Sequence, residues 1–225
     1  MLALTFSTGV ADSVGYLGLD KVFTGNMTGN VVILAMALAG GKGLPIIGPL
    51  IALFAFMFGA AAGGRALRRV DGGWTSHVTV LLCAVAAILI GLSVALFIVG
   101  HASSQTFAYV VTVFLAAAMG LQASIARHIA VKDVTTVVVT STITSLAADS
   151  WLGGGKGQPW ARRAAAIVLI GAGAGVGALL LLLNLGWGVA LSGLITLTVA
   201  ILGHLGGRAF PDVADDNSLE STIAG

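Results

Sequence analysis

Asp12 is the residue with the most chemistry to offer. It lies near the middle of the first apolar segment of the chain. A carboxylate at the centre of a bilayer costs at least about 2.5–3.5 kcal/mol on insertion scales, so such a group is expected to face a cavity or a partner. Two roles fit it. It can bind a cation or carry a proton for a transported solute, or it can hold helices together by pairing with Arg127 or bonding to Tyr16, Asn26 or Gln122.

Two polar runs form the second group of candidates. Thr24, Asn26, Thr28 and Asn30 are spaced by Gly25 and Gly29 in the first, and Thr136, Thr140 and Thr142 belong to the second. Glycines permit backbone angles closed to other residues, and Thr28 or Asn30 can cap a helix that follows. A helix start at membrane depth presents unpaired N–H groups and partial positive charge, which suits a polar or anionic ligand. The plainer role is capping and hydrogen bonding between helices with no ligand present. The candidate substrate-binding set is therefore Asp12, Tyr16, Thr24, Asn26, Thr28, Asn30, Gln122, Thr136, Thr140 and Thr142, with Asp12 as the coupling residue.

The elements that must position these groups follow from composition. The 225 residues are 57% hydrophobic and 9% charged, with a mean hydropathy of +1.03. Soluble domains carry about 25% charged residues. So few charges cannot clothe a soluble globule, which excludes a soluble enzyme, a nucleic-acid binder and a disordered chain. No Asp, Glu, Lys or Arg occurs from Gly72 to Ala126 or from Ala164 to Gly207. A spanning helix needs about 20 apolar residues, which predicts spans at 44–64, 77–99, 163–184 and 188–206. Ala, Leu, Val, Ile and Gly without alternation argue against barrel strands. Residues 1–39 and 106–149 are too long for one straight span and too polar in the middle; each reads as a helix, a break and a second short helix.

The expected fold is an all-α polytopic membrane bundle of about six crossings. In that arrangement Lys42 and His101 share one side, and Arg65, Arg68, Arg69, Lys156, Arg162, Arg163 and Arg208 share the other. By the positive-inside rule both termini are then cytoplasmic. Two crossings per broken region would erase this bias. The four tryptophans, Trp74, Trp151, Trp160 and Trp187, fall at span ends, as an interfacial aromatic belt requires. Met1-Leu2-Ala3-Leu4 has neither a basic stretch nor an Ala-x-Ala site, so no removable signal peptide is expected. The acidic tail 208–225 is expected to be solvated.

The halves match at an offset of 112 residues. Val22 pairs with Val134, Thr24 with Thr136, Thr28 with Thr140, and Gly59 and Gly63 with Gly171 and Gly175; Gly9 pairs with Gly120 at an offset of 111. Residues 1–100 and 101–207 thus read as two membrane repeats. Three crossings in each would make them inverted, with discontinuous first helices, the construction of many secondary transporters. The glycine spacings read as close helix contacts, within the chain or in a homo-oligomer. Cys83 stands alone and His77, His101, His128 and His204 lack metal-ligand spacing, so neither metal nor cofactor is expected.

Gly9-Val10-Ala11-Asp12-Ser13-Val14-Gly15-Tyr16 followed by Phe23-Thr24-Gly25-Asn26-Met27-Thr28-Gly29-Asn30 resembles the opening signature of the bacterial YoaK family, the membrane proteins of DUF1275. Met119-Gly120-Leu121-Gln122-Ala123 with Thr135, Thr136 and Thr140 resembles its second signature, departing at Ala123 and Ser141. The resemblance covers nearly the whole chain. It implies a multi-pass membrane protein and names no substrate.

The function these residues favour is a small secondary transporter of a polar or anionic solute in the bacterial inner membrane, with its site between the two broken helices. A channel and a structural or accessory subunit are the alternatives. An intramembrane enzyme would need a nucleophile with a base, or a metal set, at matching depth, and the sequence offers neither. The expected partners are the lipid bilayer and a small-molecule or ion substrate.

Overall fold

The computed structural model describes residues 1–70, 72–99, 104–129, 139–148 and 160–209. Within them the chain forms α1 (Leu2–Gly18), α2 (Met27–Leu38), α3 (Ile47–Leu67), α4 (Ser76–Val99), α5 (Gln105–Ile129), α6 (Val139–Ala148), α7 (Trp160–Leu181) and α8 (Leu185–Ala209). The described residues contain no strand. Helices α3, α4, α5, α7 and α8 are long and apolar enough to cross a membrane. At 17 residues, α1 falls short of the usual span.

The two regions read as broken hold α1 with α2 and α5 with α6. The first break has local causes. Leu19 N–H bonds back to Gly15 O at 3.0 Å and Val22 N–H bonds to the same carbonyl at 3.3 Å, so the chain leaves α1 by folding against it. Asp20 and Lys21 make the turn in left-handed conformation, with φ of 65° and 55°. That conformation costs a non-glycine residue about 1 kcal/mol or more. The Lys21 ammonium ties the turn to Gly43 O on the α2–α3 connection at 2.9 Å. Gly15 is required here, because a Cβ would overlap Val22 O. Asn26 then caps α2, its Oδ1 accepting from Gly29 N–H at 3.2 Å.

Helix α1 packs on α7 and α8, α3 packs on α5, and α4 packs on α8 and α5. The common core runs through Leu4, Val14, Leu82, Leu89, Leu115 and Val189, all fully buried. Large apolar side chains cover the outside, Leu182 at 82% and Phe58 at 74% exposure among them. Such a surface suits lipid and not water.

Two close crossings carry the packing, and matched residues make both. In the α1–α7 crossing, a Cβ on Gly9 would overlap the Ile170 carbonyl and one on Gly173 the Phe6 carbonyl. In the α3–α5 crossing, a Cβ on Gly120 would overlap the Phe56 carbonyl and one on Gly59 the Ala117 carbonyl. Gly177 faces Ser13 Oγ, and Gly63 faces Ser124 Oγ. Each serine bonds to the carbonyl three residues back, Ser13 to Val10 O and Ser124 to Leu121 O, both at 2.8 Å. The packing therefore pairs Gly59 with Gly173 and Gly63 with Gly177, an offset of 114. The offset of 112 had paired them with Gly171 and Gly175, which meet nothing within 4 Å. In a glycine-rich stretch a slip of two residues preserves the spacing, so sequence cannot fix the register.

Candidate functional site

The first break closes on Asp12. Its Oδ1 accepts from three successive backbone N–H groups: Thr24 at 2.8 Å, Gly25 at 2.6 Å and Asn26 at 3.4 Å. The Thr24 hydroxyl adds a fourth bond at 3.3 Å. Successive N–H groups converging on one oxygen form an anion-holding concavity, and hydrogen bonds to a charged acceptor are the strong kind. Asp12 is 9% exposed and Thr24 is fully buried. The close approach depends on Gly25, where a Cβ would come within 2.8 Å of Thr8 Cγ2.

Asn30 locks the other flank of the loop. Its Oδ1 accepts from Phe23 N–H at 2.9 Å and its Nδ2 donates to Phe23 O at 2.6 Å, so one amide satisfies both backbone groups of a residue outside regular structure. Phe23 in turn stacks on Tyr16, with ring centroids 4.8 Å apart and planes 27° apart.

Above this loop lies a cavity of about 660 Å³ between α1, α2, α6 and α7. Asp12, Tyr16, Asn26 and Thr28 line it from the first half and Thr140 from the second. Thr8, Phe23 and Ile170 complete much of the wall. Among the described lining residues Asp12 is the one charged group and Tyr16 the one other titratable group.

The remaining candidates lie elsewhere. Thr24 and Asn30 are buried beneath the loop as its supports. Gln122, 2% exposed, belongs to a polar seam joining α1, α5 and α8: its Nε2 donates to Thr8 Oγ1 at 3.5 Å, and its Oε1 accepts from Thr196 Oγ1 at 3.1 Å. Ser7 and Ser192 exchange hydroxyl-to-carbonyl bonds beside it, at 3.3 and 3.1 Å. Thr142 lies on α6 away from the cavity wall, and Thr136 lies outside the described residues. The partners expected for Asp12 were side chains; those it has are backbone amides and the Thr24 hydroxyl, with Asn26 contributing its N–H and not its amide. Of the residues that sequence reading missed, Thr8 was within reach, since it stands one turn before Asp12 on the same helical face. Ser192 and Thr196 were not, because they meet Gln122 only through the tertiary fold. Among the described residues, no three His, Cys, Asp or Glu side chains gather into a metal-holding group.

The profile of the family described as "Protein of unknown function (DUF1275)" matches residues 1–202. The chain belongs to the DUF1275 family. A relative, the UPF0700 transmembrane protein YoaK of Bacillus subtilis (strain 168), is 29% identical over 147 residues, 65% of this chain. The match spans 64% of that protein's length, less than two thirds. No solved structure matches the chain. The family, the transmembrane relative and the five long apolar helices make this DUF1275 protein a multi-pass membrane protein.

Proposed function

We propose that the protein is a small secondary transporter of the bacterial inner membrane, moving a small polar solute through the cavity at the first break. The observation that carries this reading is the cavity itself, which combines a carboxyl group, the capped start of α2 and the start of α6 in one wall. Cavities of this size suit small-molecule ligands, and irregular backbone at membrane depth is tolerated where it borders such a cavity.

In this reading α1 is the sixth crossing, its shortness offset by local thinning of the bilayer. Both termini are cytoplasmic, and residues 1–100 and 101–207 are inverted repeats. The matched α1–α7 and α3–α5 crossings support the duplication, since corresponding glycines and serines meet corresponding carbonyls. Alternating access is the rocking of one half against the other about the cavity, with Asp12 as the proton or cation coupler. Of the glycine faces suited to a homo-oligomer, Gly59, Gly63, Gly173 and Gly177 are used within the chain, which leaves Gly171 and Gly175 open on α7.

The test is solute uptake into proteoliposomes driven by an imposed proton gradient. Gradient-dependent uptake that is abolished in Asp12→Asn is expected. Flux that ignores both the gradient and the substitution would instead identify a channel. The seam of Ser7, Ser192, Gln122 and Thr196 favours a second reading, a structural subunit whose polar residues bind helices together, and for that protein no solute would move.

A further inference from the structure

We propose that the cavity binds a small organic ammonium ion, with Asp12 Oδ2 as its counter-ion and the Tyr16–Phe23 pair as its aromatic wall. This deepens the transport reading by naming the solute class. All four hydrogen bonds to the Asp12 carboxyl end on Oδ1. No sealed side-chain oxygen or nitrogen among the described residues lacks a partner. Oδ2 takes none of those bonds and so is not a sealed atom, on a residue that lines the cavity. The carboxyl group is thus nine-tenths buried, anchored by one oxygen and offering the other.

The lining selects among ligands for that oxygen. An anion would meet the carboxyl with no Lys, Arg or His among the described lining residues to offset it. A hard divalent cation takes about six to eight oxygen ligands, several of them carboxylates, and one carboxyl with scattered hydroxyls does not supply them. The cavity, at about 660 Å³, is also far larger than a bare ion needs. Two stacked rings bordering the same space add what an organic cation uses, because ammonium groups are attracted to aromatic faces. Thr28 and Thr140, which line the same cavity, suit a polar end on the same molecule.

The experiment is calorimetric titration of the purified full chain with tetramethylammonium, choline, the uncharged choline isostere 3,3-dimethylbutan-1-ol, and acetate. At least one of the two ammonium probes is expected to bind about tenfold or more tightly than the isostere, with acetate inert, as ion pairing in a desolvated site implies. Asp12→Asn keeps an oxygen for the three backbone N–H groups and removes the charge, so it is expected to cost about tenfold or more in that binding while helicity and melting temperature hold. Phe23→Leu provides the second variant, expected to weaken ammonium binding by about threefold and leave the isostere unchanged. Absence of binding by both ammonium probes, no preference for either ammonium probe over the isostere, or ammonium binding indifferent to both substitutions overturns the proposal. Choline binding without uptake into proteoliposomes supports the ammonium site and removes the transport reading. Uptake of a neutral or anionic solute without ammonium binding does the reverse.

Discussion

The two close helix crossings are nearly interchangeable, yet one step along the helix they part. At α1–α7 and at α3–α5, glycines press against backbone carbonyls and a serine folds back on its own helix in the same way. The residue before Ser13 is Asp12; the residue before Ser124 is Ala123. Asp12 gathers three backbone N–H groups and closes the loop between α1 and α2. Ala123 has no acceptor with which to do so. Asn30, which locks that loop through both polar atoms of its amide, is likewise matched at an offset of 112 by the shorter Thr142. The difference teaches that the close glycine contact recurs at two crossings and the polar chemistry does not. Backbone contact at this distance tolerates only glycine, so both crossings keep it, whereas a carboxyl group inside a membrane is costly.

The largest effects should come from breaking the shared feature. Gly173→Val and Gly59→Val each drive a side chain into a carbonyl of the facing helix, and overpacking of this kind costs about 1–3 kcal/mol. Thermal unfolding in detergent should show the two variants equally impaired, with Gly171→Val, which meets nothing, close to the parent. A loss at one crossing alone would end the equivalence.

Next comes the feature that differs. Asp12→Ala removes the acceptor for three buried N–H groups and should destabilise by about 3 kcal/mol, whereas Ala123→Ser in the other half should stay within about 0.5 kcal/mol. Asp12→Asn, which keeps an acceptor oxygen for those groups, should melt close to the parent, and the same melting series would rank all three. Asn30→Ala strips both bonds from Phe23 and should cost about 1–2 kcal/mol, against less for Thr142→Ala; amide hydrogen exchange at Phe23 reads the first directly. The smallest expected effect is Asn26→Ala, the loss of the α2 cap, at about 1 kcal/mol with fraying confined to the first turn of that helix.

Length and hydropathy were enough to place the long helices, because a charge-free stretch of that length has few other conformations open to it at membrane depth. The spans expected at 77–99 and 188–206 lie within α4 and α8. The position of the first break was legible too, from Gly25 and Gly29 and the polar residues around them. The role of Asp12 was legible only in part. Its burial followed from hydropathy, but its partners are mainly backbone amides, which nearly every residue carries and no sequence pattern advertises. Gln122 illustrates the same limit from the other side. Its type announced a buried polar contact, while the identity of Thr196 as the acceptor's partner depends on how α5 and α8 meet.

The division of labour within the Asp12 carboxyl group has a consequence for motion. Its two oxygens share one charge. A cation or proton settling on Oδ2 draws electron density from Oδ1, and the three N–H bonds that fasten the α1–α2 turn weaken together. The same connection holds Asp20 and Lys21 in the left-handed conformation, which is costly for residues other than glycine. In the proposed transporter, occupancy of the cavity and the fastening of the loop beneath it would be registered by the same carboxyl group, so loading the site would loosen the turn about which the first half would have to bend.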